Sequence, residues 1–241
     1  MVASNLETGE PLWFGLGRKK ETLDEFFASQ LKASQRRRIE AACVDMWPAF
    51  KSSIEQWAPQ CAIIYDKFHI IQHANQAVDE VRHSEFHRQG GWRRKLVKGK
   101  RWLLLTRWMN LSEDSQKDLN QLFRLNRRIR KAFWMKESLE GLWSQPNAIA
   151  AATYLDSWVS WLRWQRLPSF EKLARMLLDH REGLSNHYKV RVRFGVVEAI
   201  NGNLRILLRR GRGYRNLRYL LLKAQHMAAT KTELVVFKRA A

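Results

Sequence analysis

Three carboxylates in this sequence, Asp45, Asp66 and Glu198, have the settings from which acidic residues hold a divalent cation. Asp45 ends the mostly apolar run 39–45, and Asp66 follows a second such run, 61–65. Open α/β sheets take their ligands just beyond the carboxyl ends of their strands. Oxygen donors converging there suit Mg²⁺, which takes one or two carboxylates plus water and phosphate. An Asp at such a junction also serves to cap the helix that follows, and both uses stay open on the residues alone. Glu198 stands out differently: between Gly183 and Thr232 there are eleven Lys or Arg residues and a single acid, Glu198 itself. On a helix, Glu198, Asn201 and Arg205 share a face beside the apolar positions Val196, Val197, Ile200, Leu204, Leu207 and Leu208. A surface salt bridge from Glu198 to Arg205 or Lys189 would be worth little. A lone acid on a cationic helix also matches a metal site acting on nucleic acid, the acid holding the ion and the arginines the phosphates.

Other chemistries find less support. Asp66, His69 and His73 fall at i, i+3 and i+7, with Asp79 and His83 beyond, but neither a Cys pair nor an H-E-x-x-H arrangement completes a zinc site. There is no G-x-S-x-G, P-loop or dinucleotide fingerprint, and Cys43 and Cys61 offer no disulfide framework. The chain carries 43 Lys and Arg against 23 Asp and Glu, a net charge of +20. Such a balance favours a polyanionic partner, because each neutralised phosphate releases condensed counterions. The basic residues are spread along the whole chain, unlike a short membrane-surface helix, and no apolar run reaches the length of a membrane span. Trp residues interleave with Arg at 92–94, 101–102, 107–108 and 161–164. Aromatics at helical spacing more often fill a core than stack on bases.

The elements that must position these residues begin with two short strands at 2–6 and 12–14, joined by a polar turn at 7–10. A helix follows at 19–30, then strand 39–45, helix 47–57 broken by Pro59, and strand 61–65. Strand, helix and strand in so compact a space predict a parallel βαβ unit. From Phe68 the pattern turns helical. It predicts helices from 68 to about 82, from the Ser112 cap through Phe133, over 145–164, 169–180 and 196–208, and around 217–227.

Several segments then match one family in order and spacing. They are Asn5 to Trp13, Gly17-Arg18, Val44-Asp45-Met46-Trp47, Asp66-Lys67-Phe68-His69-Ile70, Asn75 with Ala77 to Arg82, Val197 to Asn201, Arg209-Arg210, and Gly213 to Asn216. Together they resemble the DDE-type insertion-sequence transposases of the ISL-three group, over nearly the whole chain.

The resemblance implies an α/β, ribonuclease-H-like fold with a long helical insertion: residues 1–84 as the sheet part, 85–185 as the insertion, and 186–241 as basic helices carrying the Glu of the triad. It implies two Asp and one Glu holding two Mg²⁺ for cutting and joining DNA, with Asp45 as the second acid and Glu198 as the third. Asp66 and His69 would form a supporting D-x-x-H element, with Asn201 beside the Glu. Arg205, Arg209, Arg210, Arg212 and Arg215 would hold DNA. The family's first Asp belongs on a strand ahead of residues 2–6, and Met1 begins this sequence without it. The implied outcome is a chain inactive alone, whose 2–6 strand pairs directly with 39–45 or leaves backbone groups unpaired. The expected partners are transposon ends and target DNA, with a homo-oligomer and a prokaryotic cytoplasmic, nucleoid-associated setting. The alternative is a basic DNA- or RNA-binding protein without catalysis.

Overall fold

The computed structural model describes residues 1–8, 10–190, 202, 205–209, 211, 214 and 216–229. The architecture is mixed α/β and mostly helical, with two small sheets. The chain divides into two compact units, one of residues 1–63 with 191–241, the other of residues 64–190.

The first unit opens with β1 (Val2–Ser4) and β2 (Pro11–Phe14), which pair antiparallel with Val2 opposite Phe14 and Ala3 opposite Trp13. The turn between them is closed by Asn5, whose Oδ1 accepts the amides of Glu7 at 2.8 Å and Thr8 at 3.2 Å, the usual Asx device. Next come α1 (Lys20–Gln30), the single turn α2 (Ala33–Arg36), β3 (Ala41–Val44), α3 (Pro48–Trp57) and β4 (Ala62–Tyr65), in which the chain leaves this unit. Pro48 stands at the first position of α3, where its lacking N–H costs nothing. β3 pairs with β4, and Ala62 N donates to Glu40 O at 2.8 Å. Of the two outcomes expected for the first strand, pairing with 39–45 or leaving backbone groups unpaired, the first is not seen among the described residues: β1 pairs with β2, across the turn expected to join them.

Both sheets rest on one apolar layer. Trp13, Leu23, Phe26, Phe27, Ile54, Ala58 and Cys61 form its buried core, with Ala3, Ala42, Val44 and Ile63 packed half-buried against it. The rings of Trp13, Phe26, Phe27 and Trp57 follow one another at centroid distances of 5.7, 5.4 and 6.4 Å. Asp24 ties α1 to α3 through its carboxylate, which accepts from Ser53 Oγ at 2.5 Å, Trp57 Nε1 at 2.9 Å and Lys20 Nζ at 2.7 Å. In the later part of the unit, residues 205–209 are helical, and α12 (Leu217–Ala229) packs against β2.

The second unit is helical and is organised around α4 (Lys67–Arg88). Ile70, Ala74, Ala77, Val78, Val81 and Glu85 form its buried stripe, at the three- and four-residue steps that keep one face inward. Against α4 pack α5 (Gly91–Val97), α6 (Arg101–Leu105), α8 (Arg127–Leu139) and α10 (Pro168–Asp179). The remaining α-helices are α7 (Glu113–Leu125), α9 (Ala148–Arg163) and α11 (Arg181–Asn186). Ser112 caps α7 as expected, accepting from Ser115 N at 3.3 Å.

The single helix expected from Ser112 through Phe133 is instead two. Asn126 ends α7 and caps α8: its Oδ1 accepts from Ile129 N at 3.0 Å while its Nδ2 donates to Glu85 Oε2 at 2.9 Å. Glu85 is fully buried and also receives Arg88 at 2.7 and 3.0 Å, with Arg128 Nε in ion-pair contact at 3.1 Å. Burial pushes the Glu85 pKa up, but the hydrogen bonds from Arg88, Asn126 and Gln89 and the Arg88 charge outweigh it and hold the carboxyl below the usual range. A second buried charge, Lys136, seats its ammonium on the carbonyls of Leu104, Leu105 and Thr106 at 3.1, 3.4 and 3.0 Å, and lies 2.9 Å from Glu137 Oε1. It thus satisfies the carbonyls that α6 leaves at its end. Near the end of the unit the Tyr65 ring lies so close to Gly183 that no side chain could stand there. Among the described residues no helix is long and apolar enough to cross a membrane.

Candidate functional site

Asp45 lies directly after β3, at its carboxyl end. Its Oδ1 accepts the amide of Trp47 at 3.1 Å, two residues on, which fixes the carboxylate over the turn into α3. Its Oδ2 is paired with the Arg18 guanidinium. The Asp45 side chain is 15% exposed and that of Arg18 67%. Trp47 completes the group: its Nε1 donates to Arg18 O at 3.1 Å, and the guanidinium lies 5.9 Å from its ring centroid. Gly17, with φ +93°, supplies the left-handed turn that delivers Arg18 after β2, a conformation cheap for glycine and strained for other residues.

Arg18 is the neighbour of Asp45 that sequence reasoning left unassigned. Gly17-Arg18 and Val44 to Trp47 were each visible as pieces of one pattern, but only the fold brings the two together. A guanidinium on a carboxylate makes that oxygen a structured anion, and a divalent cation could take it only in competition with Arg18.

Asp66 and His69 sit at the start of α4 in the second unit. Asp66 is the N-cap, and its Oδ1 accepts from Phe68 N at 2.9 Å. His69 Nε2 stands 3.9 Å from Asp66 Oδ2, and its Nδ1 is 3.0 Å from Gln72 Oε1. The capping use of Asp weighed from sequence is thus the one the geometry displays here. Arg205 and Arg209 are exposed, on the helical stretch 205–209. Glu198, Asn201, Arg210, Arg212 and Arg215 lie outside the described residues.

A divalent ion of the kind the resemblance implies needs hard oxygen donors. Asp45 is one such donor, but among the described residues no group of three or more His, Cys, Asp or Glu converges. The described residues alone do not fit a two-ion centre.

A net charge of +20 with a carboxylate posted at a strand end is what a protein acting on nucleic acid would present. The family model for DDE transposases of the ISL-three group, described as a transposase, matches residues 1–224, and the chain belongs to that family. It is 29% identical over 215 residues to the transposase for insertion sequence element IS1001 of Bordetella parapertussis, covering 88% of this chain and 53% of that relative. It is 24% identical over 246 residues to the transposase for insertion sequence element IS1557 of Mycobacterium tuberculosis, in two strains, covering 92% of this chain and 55% of that relative. The chain therefore spans about half the length of the curated relatives it matches. No solved structure matches it.

Proposed function

We propose that this chain is the DNA-cutting and DNA-joining region of an insertion-sequence transposase, with transposon-end and target DNA as its substrates. The observation that carries the reading is Asp45 at the carboxyl end of β3, within a family match that runs from residue 1 to 224. In this reading Asp45 and Glu198 are carboxylates of a Mg²⁺ site, Mg²⁺ supplying the Lewis acidity that phosphodiester chemistry needs. Asp66, His69 and Asn201 support the site, and Arg205, Arg209, Arg210, Arg212 and Arg215 hold DNA. Arg18 restrains the Asp45 carboxylate and screens its charge.

The same reading makes the α/β part ribonuclease-H-like, with residues 85–185 as its helical insertion. Its support is the shared layer beneath the two sheets: β1 and β3 are both half-buried throughout and rest on the same helices, yet belong to separate two-stranded sheets. A further strand between them would join the two into one sheet, and in this fold that central strand carries the first Asp.

Two measurements on the purified chain test the proposal. Duplex DNA should bind with an affinity that falls steeply with salt, log K dropping by about 0.9 per phosphate contacted for each unit of log salt. Mn²⁺, followed by electron paramagnetic resonance, should bind more weakly to Asp45→Asn and more tightly to Arg18→Gln. Absence of salt-sensitive DNA binding sinks the reading. A second reading, a nucleic-acid binder without catalysis, is favoured by the Arg18 pairing of Asp45. It expects DNA binding that neither chelators nor Asp45→Asn disturb, and no Mn²⁺ response to either variant.

A further inference from the structure

The corner between α7 and α8 concentrates positive charge in a way the fold itself does not require. Residues 124–131 contain Arg124, Arg127, Arg128, Arg130 and Lys131, five cations in eight residues with no acid. These five, with Phe123, line an open cavity of about 500 Å³. Four of them occupy the first five positions of α8, at the positive end of its dipole, where cations are unfavourable. Arg127 and Lys131 also stand four residues apart on one face, a like-charge spacing that weakens a helix. Arg128 alone is compensated, by buried Glu85. Among the described residues, Arg124, Arg127, Arg130 and Lys131 have no ion pair within 4 Å.

The platform beneath is well packed. Phe123, Ile129 and Phe133 are buried, and Asn126 locks the corner to Glu85. Local preference and global fold disagree here, and such conflicts collect where a ligand resolves them.

We propose that this corner is a second DNA-binding surface, in which Arg124, Arg127, Arg130 and Lys131 grip the phosphodiester backbone of duplex DNA. It lies in the helical unit, apart in sequence from the arginines of 205–215. Guanidinium groups suit paired contacts with phosphate oxygens. No base-reading geometry is implied: the surface positions DNA and does not select sequence. The inference rests on the transposase reading, which supplies DNA as the polyanion.

The test compares the wild-type chain with the fourfold variant Arg124→Gln, Arg127→Gln, Arg130→Gln and Lys131→Gln, by fluorescence anisotropy with a labelled duplex of random sequence. The expected result is at least a tenfold loss of affinity at low salt and a log–log salt slope shallower by roughly 2–4, from about 0.9 per lost phosphate contact. The matching Arg→Lys variant, which keeps the charge, should keep the slope. An unchanged slope in the Gln variant overturns the proposal while leaving the transposase reading in place. A wild-type chain that binds no DNA overturns both. Protection of Lys131 in the wild-type chain removes any dependence on variant folding. Saturating duplex should slow its acetylation several-fold, and inorganic phosphate at equal phosphate concentration should not. Equal acetylation with and without duplex, protection by phosphate alone, or a loss of affinity confined to an RNA hairpin would each overturn it.

Discussion

Glu85 in the helical unit and Asp45 in the α/β unit are both carboxylates held by arginine, but their surroundings differ. Glu85 is fully buried and receives Arg88, Asn126 and Gln89. Asp45 is 15% exposed, accepts one backbone amide, and meets an arginine that is itself 67% exposed. The first is a satisfied anchor, whose removal would strand its partners. The second is restrained by a group that is itself largely in solvent, which makes that restraint the weaker of the two. The same contrast runs through the packing: Phe133, Ile129, Leu139 and Phe170 are at most 1% exposed, whereas every residue of β3 is only half-buried.

Mutations can break this comparison, beginning with the cores. Phe133→Ala should cost about 3–5 kcal/mol in urea unfolding, because the cavity cannot collapse between α4, α7 and α8. Val44→Ala on half-buried β3 should cost about 1 kcal/mol, and equal losses would show the two units to be equally well packed. Next, Glu85→Gln should cost about 2–3 kcal/mol, chiefly from unpaired groups at the α7–α8 corner. A neutral result would show that the Glu85 cluster does not hold the corner together. Asp66→Ala should remove about 1 kcal/mol as a lost cap. Asp45→Asn should change stability by less than about 1 kcal/mol, since its partner is solvent-exposed.

Acid titration sharpens the comparison at smaller scale. Burial, and then the charge of Lys67, lower the His187 pKa. Its folded form thus resists protonation, and the stability it contributes is present above the unfolded value of roughly 6.5 and lost as pH falls through that value toward the folded one. In both units, hydrogen bonds prevail over burial to lower the pKa of a carboxyl, Asp24 or Glu85. Their stability is present above the unfolded values of about 4 and is lost as pH falls through the lower folded values. Acidification should therefore weaken the helical unit first, and His187→Gln should flatten its stability as pH falls below about 6.5. Hydrogen exchange resolved by segment would show which unit opens first, and an α/β unit that opens earlier in that window would contradict the assignment.

How far the sequence reveals this depends on the range of each interaction. The 39–65 strand–helix–strand segment was legible because its apolar runs and Pro48 act locally. The break at Asn126 was not, because Leu119, Leu122, Phe123, Ile129 and Phe133 keep helical spacing straight across it. What stops the helix is a cap held by Glu85, 41 residues away. The short helices α5 and α6 hid among Trp, Arg and glycines. For the site, the place of Asp45 after its strand was readable, while its pairing with Arg18 across 27 residues depends on the turn at Gly17. Glu198, which the resemblance makes the third acid, lies outside the described residues.

The seat of Lys136 has a practical consequence. The chain carries 43 Lys and Arg, so trypsin meets cleavable bonds along its whole length. At Lys136 the ammonium that the protease must take into its own specificity pocket is already held by three carbonyls and a carboxylate. Scission after that residue requires the α6–α8 contact to come apart first. A fragment ending at Lys136 is therefore a record of the helical unit having opened, written by an enzyme that nicks the exposed lysines regardless.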